Sequence, residues 1–155
     1  MIDPLTTLQE AAAARLRGHS FFGDIPVLTE RLQDIQSQID KALGAIAGEG
    51  KNGIFALVLT PACKNGGCQT PGEPYFDDVD LTVEICENVT VNMSDTGTQK
   101  PAALVALFVA KILHLYGEAG KFSALNTKVI KLIPDKDLLA YHVDFKTALP
   151  AVLDL

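Results

Sequence analysis

The stretch that decides the fold runs from Phe76 to Tyr116 and reads FDDVDLTVEICENVTVNMSDTGTQKPAALVALFVAKILHLY. Its first part alternates apolar residues with polar ones, the apolar set being Val79, Leu81, Val83 and Ile85. A period of two residues is typical of a strand with one buried and one solvated face. A polar passage over residues 88–100 follows, and then the most apolar segment of the chain, which predicts a helix that ends at Gly117.

The apolar helix is unusual for a helix packed on a sheet. Thr98 is its candidate N-cap, and Pro101 is tolerated only in the first helical turn, which places the start of the helix within a residue or two. Almost no polar residue stands between Ala102 and Leu115. Either the chain itself covers both faces of the helix, or another copy of the chain covers one of them.

Two further segments of the N-terminal part carry apolar residues at helical spacing. They span residues 4–18 and 29–48, and glycines end both. Between them, residues 25–28 form a short extended segment, which its proline confines to a sheet edge or a linker.

The remaining strands are predicted on both sides of the central stretch. Residues 54–59 are apolar at every position, which is typical of a strand buried on both faces. Residues 128–133 and 139–146 predict two more strands, the second of them with a clear alternation. Residues 151–155 are expected to fray.

A long loop is predicted over residues 61–75, because Gly and Pro are frequent there. We expect it to project from the sheet, with Lys64–Gly67 at its tip. Cys63 and Cys68 flank that tip, and a flexible loop would let their sulfurs meet. The odd count of three cysteines and a reducing cytosol favour free thiols.

Together these elements predict an α+β fold in a single domain, residues 1–155. We expect a single mixed or antiparallel sheet of about four strands plus a short edge strand, packed with helices, in the order α-β-α-β-β-α-β-β.

The charge balance and the N-terminus exclude several functional classes. The formal net charge is −6, from thirteen Lys and Arg against nineteen Asp and Glu, and no basic cluster appears, so nucleic-acid binding is not expected to be the main task. The N-terminus lacks the pattern of a signal peptide. Lys111 and His114 interrupt the apolar helix, which is also shorter than the ~20 residues of a membrane span. We therefore expect a soluble protein made in a cytoplasm.

No reaction centre is visible in the sequence. It contains neither a phosphate-binding Gly-rich loop nor a Gly-x-Ser-x-Gly elbow, and its three histidines lie far apart. We therefore predict no catalytic residue, no cofactor and no metal. An alternative is a small metal-binding or thiol enzyme that uses Cys63, Cys68 or Cys86 with His142, or the acidic group of Glu73, Asp77, Asp78 and Asp80.

One resemblance rests on the passage from Val79 to Asn88 and on the segments after it, namely Val91-Asn92, Gly97-Thr98, Pro101 and the apolar helix. In these segments the chain resembles a family of bacteriophage proteins. These are the tail-terminator and related minor tail or neck proteins of tailed phages and prophages. A strand ending in Glu-Asn, a short polar turn and a long apolar helix recur in them. The resemblance spans roughly Leu5 to Phe145.

The resemblance implies a structural, non-enzymatic role. Family members form hexameric rings at the head-proximal end of the tail tube, stop its polymerisation and join the tail to the head-completion protein. The implied partners are further copies of the chain, the tail tube protein and the head-completion or connector protein, in a virion assembled in the host cytoplasm. An acidic ring lumen would let DNA pass without specific binding, and no membrane is involved. The alternative within phages is another neck, baseplate or minor tail component.

We predict subunit or partner contacts at the loop tip, in the polar passage and on the apolar helix. The residues are Lys64, Asn65, Gly66, Gly67, Glu87, Asn88, Asn92, Asp95, Thr98 and Phe108.

Overall fold

The structure is a computed structural model that describes residues 4–30, 52–70, 73–116, 125–133 and 138–150. Most of the predicted second helix, residues 31–48, lies outside these ranges, as does the predicted frayed tail, residues 151–155.

In chain order, the described helices and strands are α1 (Pro4–Arg17), a 3-10 turn (Ser20–Phe22), β1 (Val27–Thr29), β2 (Ile54–Val58), β3 (Ala62–Thr70), β4 (Glu73–Asn88), α2 (Val89–Asn92), α3 (Ala102–Tyr116), β5 (Leu125–Ile133) and β6 (Leu138–Pro150).

The six strands that the structure describes form one mixed sheet in the order β1-β2-β4-β6-β5, and β3 pairs with β4 beside this path. Strands β1 and β2 are parallel, and the other described pairs are antiparallel. The predicted α+β class is therefore confirmed, and the short edge strand lies at the sheet edge as expected.

Strand β4 is the centre of the sheet and shows the predicted alternation. Its apolar residues from Val79 to Ile85 are fully buried, whereas Asp80, Thr82 and Glu84 between them are half-buried. The apolar face packs against α3, and α1 packs against α3 and β1. The helices therefore cover one face of the sheet.

Strand β2 is buried on both faces, as its apolar sequence predicts. Ile54, Ala56 and Val58 join the main core beneath the helices. Phe55 and Leu57 point the other way, into a second apolar cluster with partly buried neighbours.

Helix α1 begins and ends where the sequence predicts, and polar side chains fix it to the sheet. The N–H of Gly18 donates to Ala14 O (2.9 Å) and closes the last turn. The buried Gln9 amide donates to Val58 O (3.0 Å), and the Arg17 guanidinium donates to Val27 O (2.7 and 3.0 Å). These bonds satisfy carbonyls near the edge of the sheet.

The prediction of a loop over residues 61–75 is wrong, because most of this segment is strand. Residues of β3 pair with β4 in one register up to Cys68, including Asn65 with Asp77 and Gly67 with Tyr75, and the register shifts between Cys68 and Thr70. Lys64–Gly67 therefore lie within a strand rather than at a tip. Strand β2 pairs only with residues 83–87 of β4, so β3 supplies backbone partners for the N-terminal half of that strand. We call β3 and residues 73–78 of β4 the arm.

Candidate interaction surface

Glu87, at the end of β4, forms the N-terminal cap of α3. Its side chain is 3% exposed, and Oε2 accepts a hydrogen bond from the N–H of Ala102, the first residue of the helix. A carboxylate at this position satisfies a free backbone donor and interacts favourably with the helix dipole. Helix α3 begins at Ala102, one residue after Pro101, so the start of the helix lies where the sequence predicts.

Thr98, however, is not the N-cap of α3. Its hydroxyl donates to Asn92 Oδ1 (2.5 Å) and accepts from the N–H of Lys100 (3.2 Å). The prediction was wrong because it considered only residues adjacent in sequence, whereas the acceptor comes from a strand fifteen residues earlier.

Asn88 and Asn92 also bond within the chain. Asn88 Oδ1 accepts from the N–H of Val91 (3.2 Å) and so caps α2. Asn92 is fully buried, and its amide donates to Lys100 O (2.8 Å). These bonds hold the polar passage between β4 and α3 in one conformation. Contact of these residues with another chain stays a prediction, as it does for the exposed Asp95.

Position 53 must be a glycine for the polar passage to pack against it, and this requirement was not predicted from the sequence. Its φ is 77°, and a Cβ there would lie 2.3 Å from the backbone nitrogen of Asn92. The signal in the sequence is a glycine directly before a buried strand, where a close backbone approach is a common cause.

Phe108, the predicted contact residue on α3, is half-buried in a stack of aromatic rings. Its ring lies 3.7 Å from that of Phe21, centroid to centroid, and the planes differ by 2°. Lys100 Nζ lies 4.6 Å from the Phe21 centroid and forms an ion pair with Asp24 (2.7 Å). The stack attaches the turn after α1 to the middle of α3.

One side of α3 is exposed although it is apolar. Most of its apolar residues are buried against α1 and the sheet, but Leu104 is 38% exposed and Leu107 is 65% exposed. Residues three apart in a helix lie on the same face. We call these two residues the leucine ridge, and Leu107 is the most exposed large apolar side chain that the structure describes.

An open groove of about 340 Å³ lies between the end of α1 and α3. It is lined by Ala14, Arg15, Gly18, His19, Phe108, Lys111 and Ile112. Arg15 and Lys111 are exposed, and neither has an ion-pair partner in the part of the chain that the structure describes. The groove therefore combines apolar walls with two exposed basic side chains.

The opposite face of the sheet carries a row of polar pairs between β4 and β6. Thr82 donates to Asp144 (2.7 Å), His142 Nε2 lies 2.7 Å from Glu84 Oε2, and Lys146 lies 3.5 Å from Asp80. These pairs occupy directly opposed positions in the strand register. Cross-strand pairs of this kind stabilise a solvated sheet face.

Two residues of the alternative thiol hypothesis meet on this face. The Cys86 thiol donates to Glu84 Oε1 (3.2 Å), and His142 bonds to the other oxygen of the same carboxylate. The Cys86 thiol therefore donates its hydrogen bond to Glu84, whereas the thiol of a catalytic pair would donate to the histidine. Among the described side chains, no group of three or more His, Cys, Asp and Glu is arranged to hold a metal ion.

The prediction that the sulfurs of Cys63 and Cys68 can meet is wrong, because both residues lie in β3. Five residues of a strand span about 16 Å. A disulfide requires Cα atoms about 4.4–6.8 Å apart. The backbone of β3 therefore holds the two cysteines too far apart for a disulfide within the chain.

A scan against models of known protein families finds no match, and neither does a search of curated proteins. Within the described ranges, no helix combines the length and the apolar character needed to cross a lipid bilayer.

Proposed function

We propose that this chain is a non-enzymatic structural protein of a tailed bacteriophage or prophage, and specifically a tail terminator. It acts as a homo-hexameric ring at the head-proximal end of the tail tube. The ring stops polymerisation of the tube protein and offers a surface to the head-completion protein. The chain is assembled in the host cytoplasm and resides in the virion.

The observation that carries the proposal is the leucine ridge on α3. Full burial of a leucine side chain contributes about 1.5–3 kcal/mol, so a side chain as exposed as Leu107 forgoes most of that stabilisation in the isolated chain. Phe108, which lines the neighbouring groove and is half-buried, lies one turn further along the same helix from Leu104. Two exposed leucines on one face of the most apolar helix support contact with another copy.

The arm supports the same proposal. Strand β4 has sixteen residues, of which β2 pairs with five near the C-terminal end. A strand of this length spans about 53 Å. Such an extended ribbon suits contact with a neighbouring subunit or with the tail tube.

Electron microscopy and native mass spectrometry of the purified protein test the ring. We expect closed rings with a central opening and a mass of six 16.6 kDa chains, about 100 kDa in total. A strict monomer at high micromolar concentration contradicts the proposal.

A second assay separates a terminator from other neck or baseplate components. The chain is added to polymerising tail tube protein, and tube lengths are measured with and without it. A terminator shortens the tubes and is seen at one end of them. Rings that leave tube length unchanged would instead support a different neck or baseplate role.

A further inference from the structure

We infer that the groove between α1 and α3 receives the acidic arm of a neighbouring copy of this chain. This contact rests on the proposed ring and specifies which two surfaces meet in it.

The basic residues of the groove stand apart from the other described basic side chains. Arg17, Lys100 and Lys146 are all engaged within the chain, by Val27 O, Asp24 and Asp80 respectively. Arg15 and Lys111 have no such partner among the residues that the structure describes, and both line the groove. Their charges are therefore available to an acidic ligand.

His19 adds a hydrogen-bond donor to the groove. Its Nδ1 accepts from the N–H of Phe21 (3.1 Å), which assigns the proton to Nε2 in the neutral ring. The ring also lies edge-on to Phe108, with centroids 6.2 Å apart. A carboxylate entering the groove would find two cations and an N–H group above an apolar wall.

The arm has the complementary composition. It carries Glu73, Asp77 and Asp78 against one basic residue, Lys64. Tyr75 and Phe76 precede the two aspartates directly, so apolar and acidic residues stand side by side. Asp77 pairs with Asn65 of β3 on one edge of β4, and on the other edge the β4–β6 register shifts between Phe76 and Val79, where the two aspartates lie.

An arm that enters a groove makes a heterologous contact, since the two surfaces differ. Contacts of this kind repeat head to tail and close into a ring when the rotation permits. The overall charge of −6 opposes association of copies elsewhere on the surface, so a local pairing of opposite charges would select this orientation. We expect the contact to weaken with added salt, because the Debye length falls to about 3 Å at 1 M.

Charge reversal on each side tests the contact. One variant carries Arg15→Glu and Lys111→Glu, and a second carries Asp77→Lys and Asp78→Lys. Each variant places like charges at the contact, and we expect the concentration needed for half-assembly to rise at least tenfold in each. An equimolar mixture of the two variants restores complementary pairs, and so does a single chain with all four substitutions, which keeps the wild-type net charge. We expect both to assemble like the wild type.

A measurement on the wild-type chain tests the same contact without depending on the folding of the arm variant. Zero-length carbodiimide coupling joins a lysine amine directly to a carboxylate, and a mixture of ¹⁴N- and ¹⁵N-labelled protein identifies links between copies. We expect mixed-label peptides that join Lys111 to Asp77 or Asp78. Their absence from assembled protein overturns the inference.

The outcomes distinguish this contact from the ring itself. If rings form normally in both double variants, the arm-in-groove contact is overturned. It is also overturned if neither the mixture nor the quadruple variant restores the rings. In both cases the terminator proposal stands. A wild-type chain that stays monomeric at high micromolar concentration overturns both.

Discussion

The carboxylate of Glu87 at the end of β4 accepts a hydrogen bond from the backbone N–H of Ala102, the first residue of α3. This bond joins the central strand to the helix that covers it, and the side chain is almost fully buried. We expect Glu87→Ala to lower the free energy of unfolding by about 1–3 kcal/mol, since it removes a charged helix cap. Glu87→Gln keeps an acceptor and should cost less. Urea unfolding measures both changes.

Asp95→Ala is the control for this prediction, because Asp95 is exposed in the connection between α2 and α3. It should change the stability by no more than about 0.5 kcal/mol. Equal stability of Glu87→Ala and the control would show that the capping bond contributes nothing.

Gly53→Ala should be strongly destabilising. The residue has φ of 77°, and a Cβ would collide with the backbone of Asn92. Both the left-handed backbone and the collision oppose the substitution, and we expect a loss of at least about 2 kcal/mol. Gly23→Ala is the matched control, because Gly23 has φ of −59° and its nearest contact would be Ser20 O at 3.3 Å. It should change the stability by about 1 kcal/mol or less. Similar thermal unfolding of the two variants contradicts the prediction.

The parts of the fold that local patterns determine could be predicted from the sequence. The alternation from Val79 to Ile85 identified a half-buried strand, and the apolar run of residues 54–59 identified one buried on both faces. Both patterns record which side of a strand faces the core, and this depends on residues close in sequence.

The parts that depend on distant pairing could not be predicted. Gly66, Gly67 and Pro74 favour a loop, yet the arm is a hairpin because the long strand β4 offers free backbone groups that β2 is too short to satisfy. The capping of α3 is a similar case, since Glu87 reaches the helix from the preceding strand.

The candidate surface was predicted in part. The apolar character of α3 raised the hypothesis of an uncovered face, and Leu104 and Leu107 are large apolar side chains of this helix that are exposed. The groove beside them was not predicted, because Arg15 and Lys111 come together only when α1 packs on α3.

Leu107→Asp tests the leucine ridge. The side chain is 65% exposed, so we expect a stability change within about 0.5 kcal/mol. Assembly should nevertheless be lost or weakened at least tenfold, because a charge would be buried in the contact. Met93→Asp is the matched control, since Met93 is an exposed apolar residue (43%) outside α3. Sedimentation of both variants over a range of concentrations measures the effect, and normal assembly of Leu107→Asp would exclude the ridge from the interface.

The stack of Phe21 on Phe108 should appear as a coupling energy. Offset and edge-to-face aromatic pairs contribute about 0.5–1.5 kcal/mol beyond their burial. The Phe21 and Phe108 rings lie parallel with centroids 3.7 Å apart, closer to face-to-face, so we expect a favourable coupling at the lower end of this range. A double-mutant cycle with Phe21→Leu and Phe108→Leu measures this coupling. Phe55 belongs to the cluster on the other face of the sheet, so a cycle of Phe55→Leu with Phe108→Leu should give a value near zero. Additive effects in the first cycle would show that the stack has no energetic role.

Cys63 and Cys68 should remain unlinked when the folded protein is treated with a mild oxidant. Both lie in β3, where five residues separate them by about 16 Å, too far for a disulfide within one chain. We expect the mass of the monomeric chain to stay unchanged and both thiols to react with an alkylating reagent. The same treatment in concentrated urea is the control: once β3 is unfolded, the short segment between the cysteines lets them meet, and the chain loses the mass of two hydrogen atoms. An intrachain Cys63–Cys68 link formed under native conditions would show that the arm is not a strand in solution.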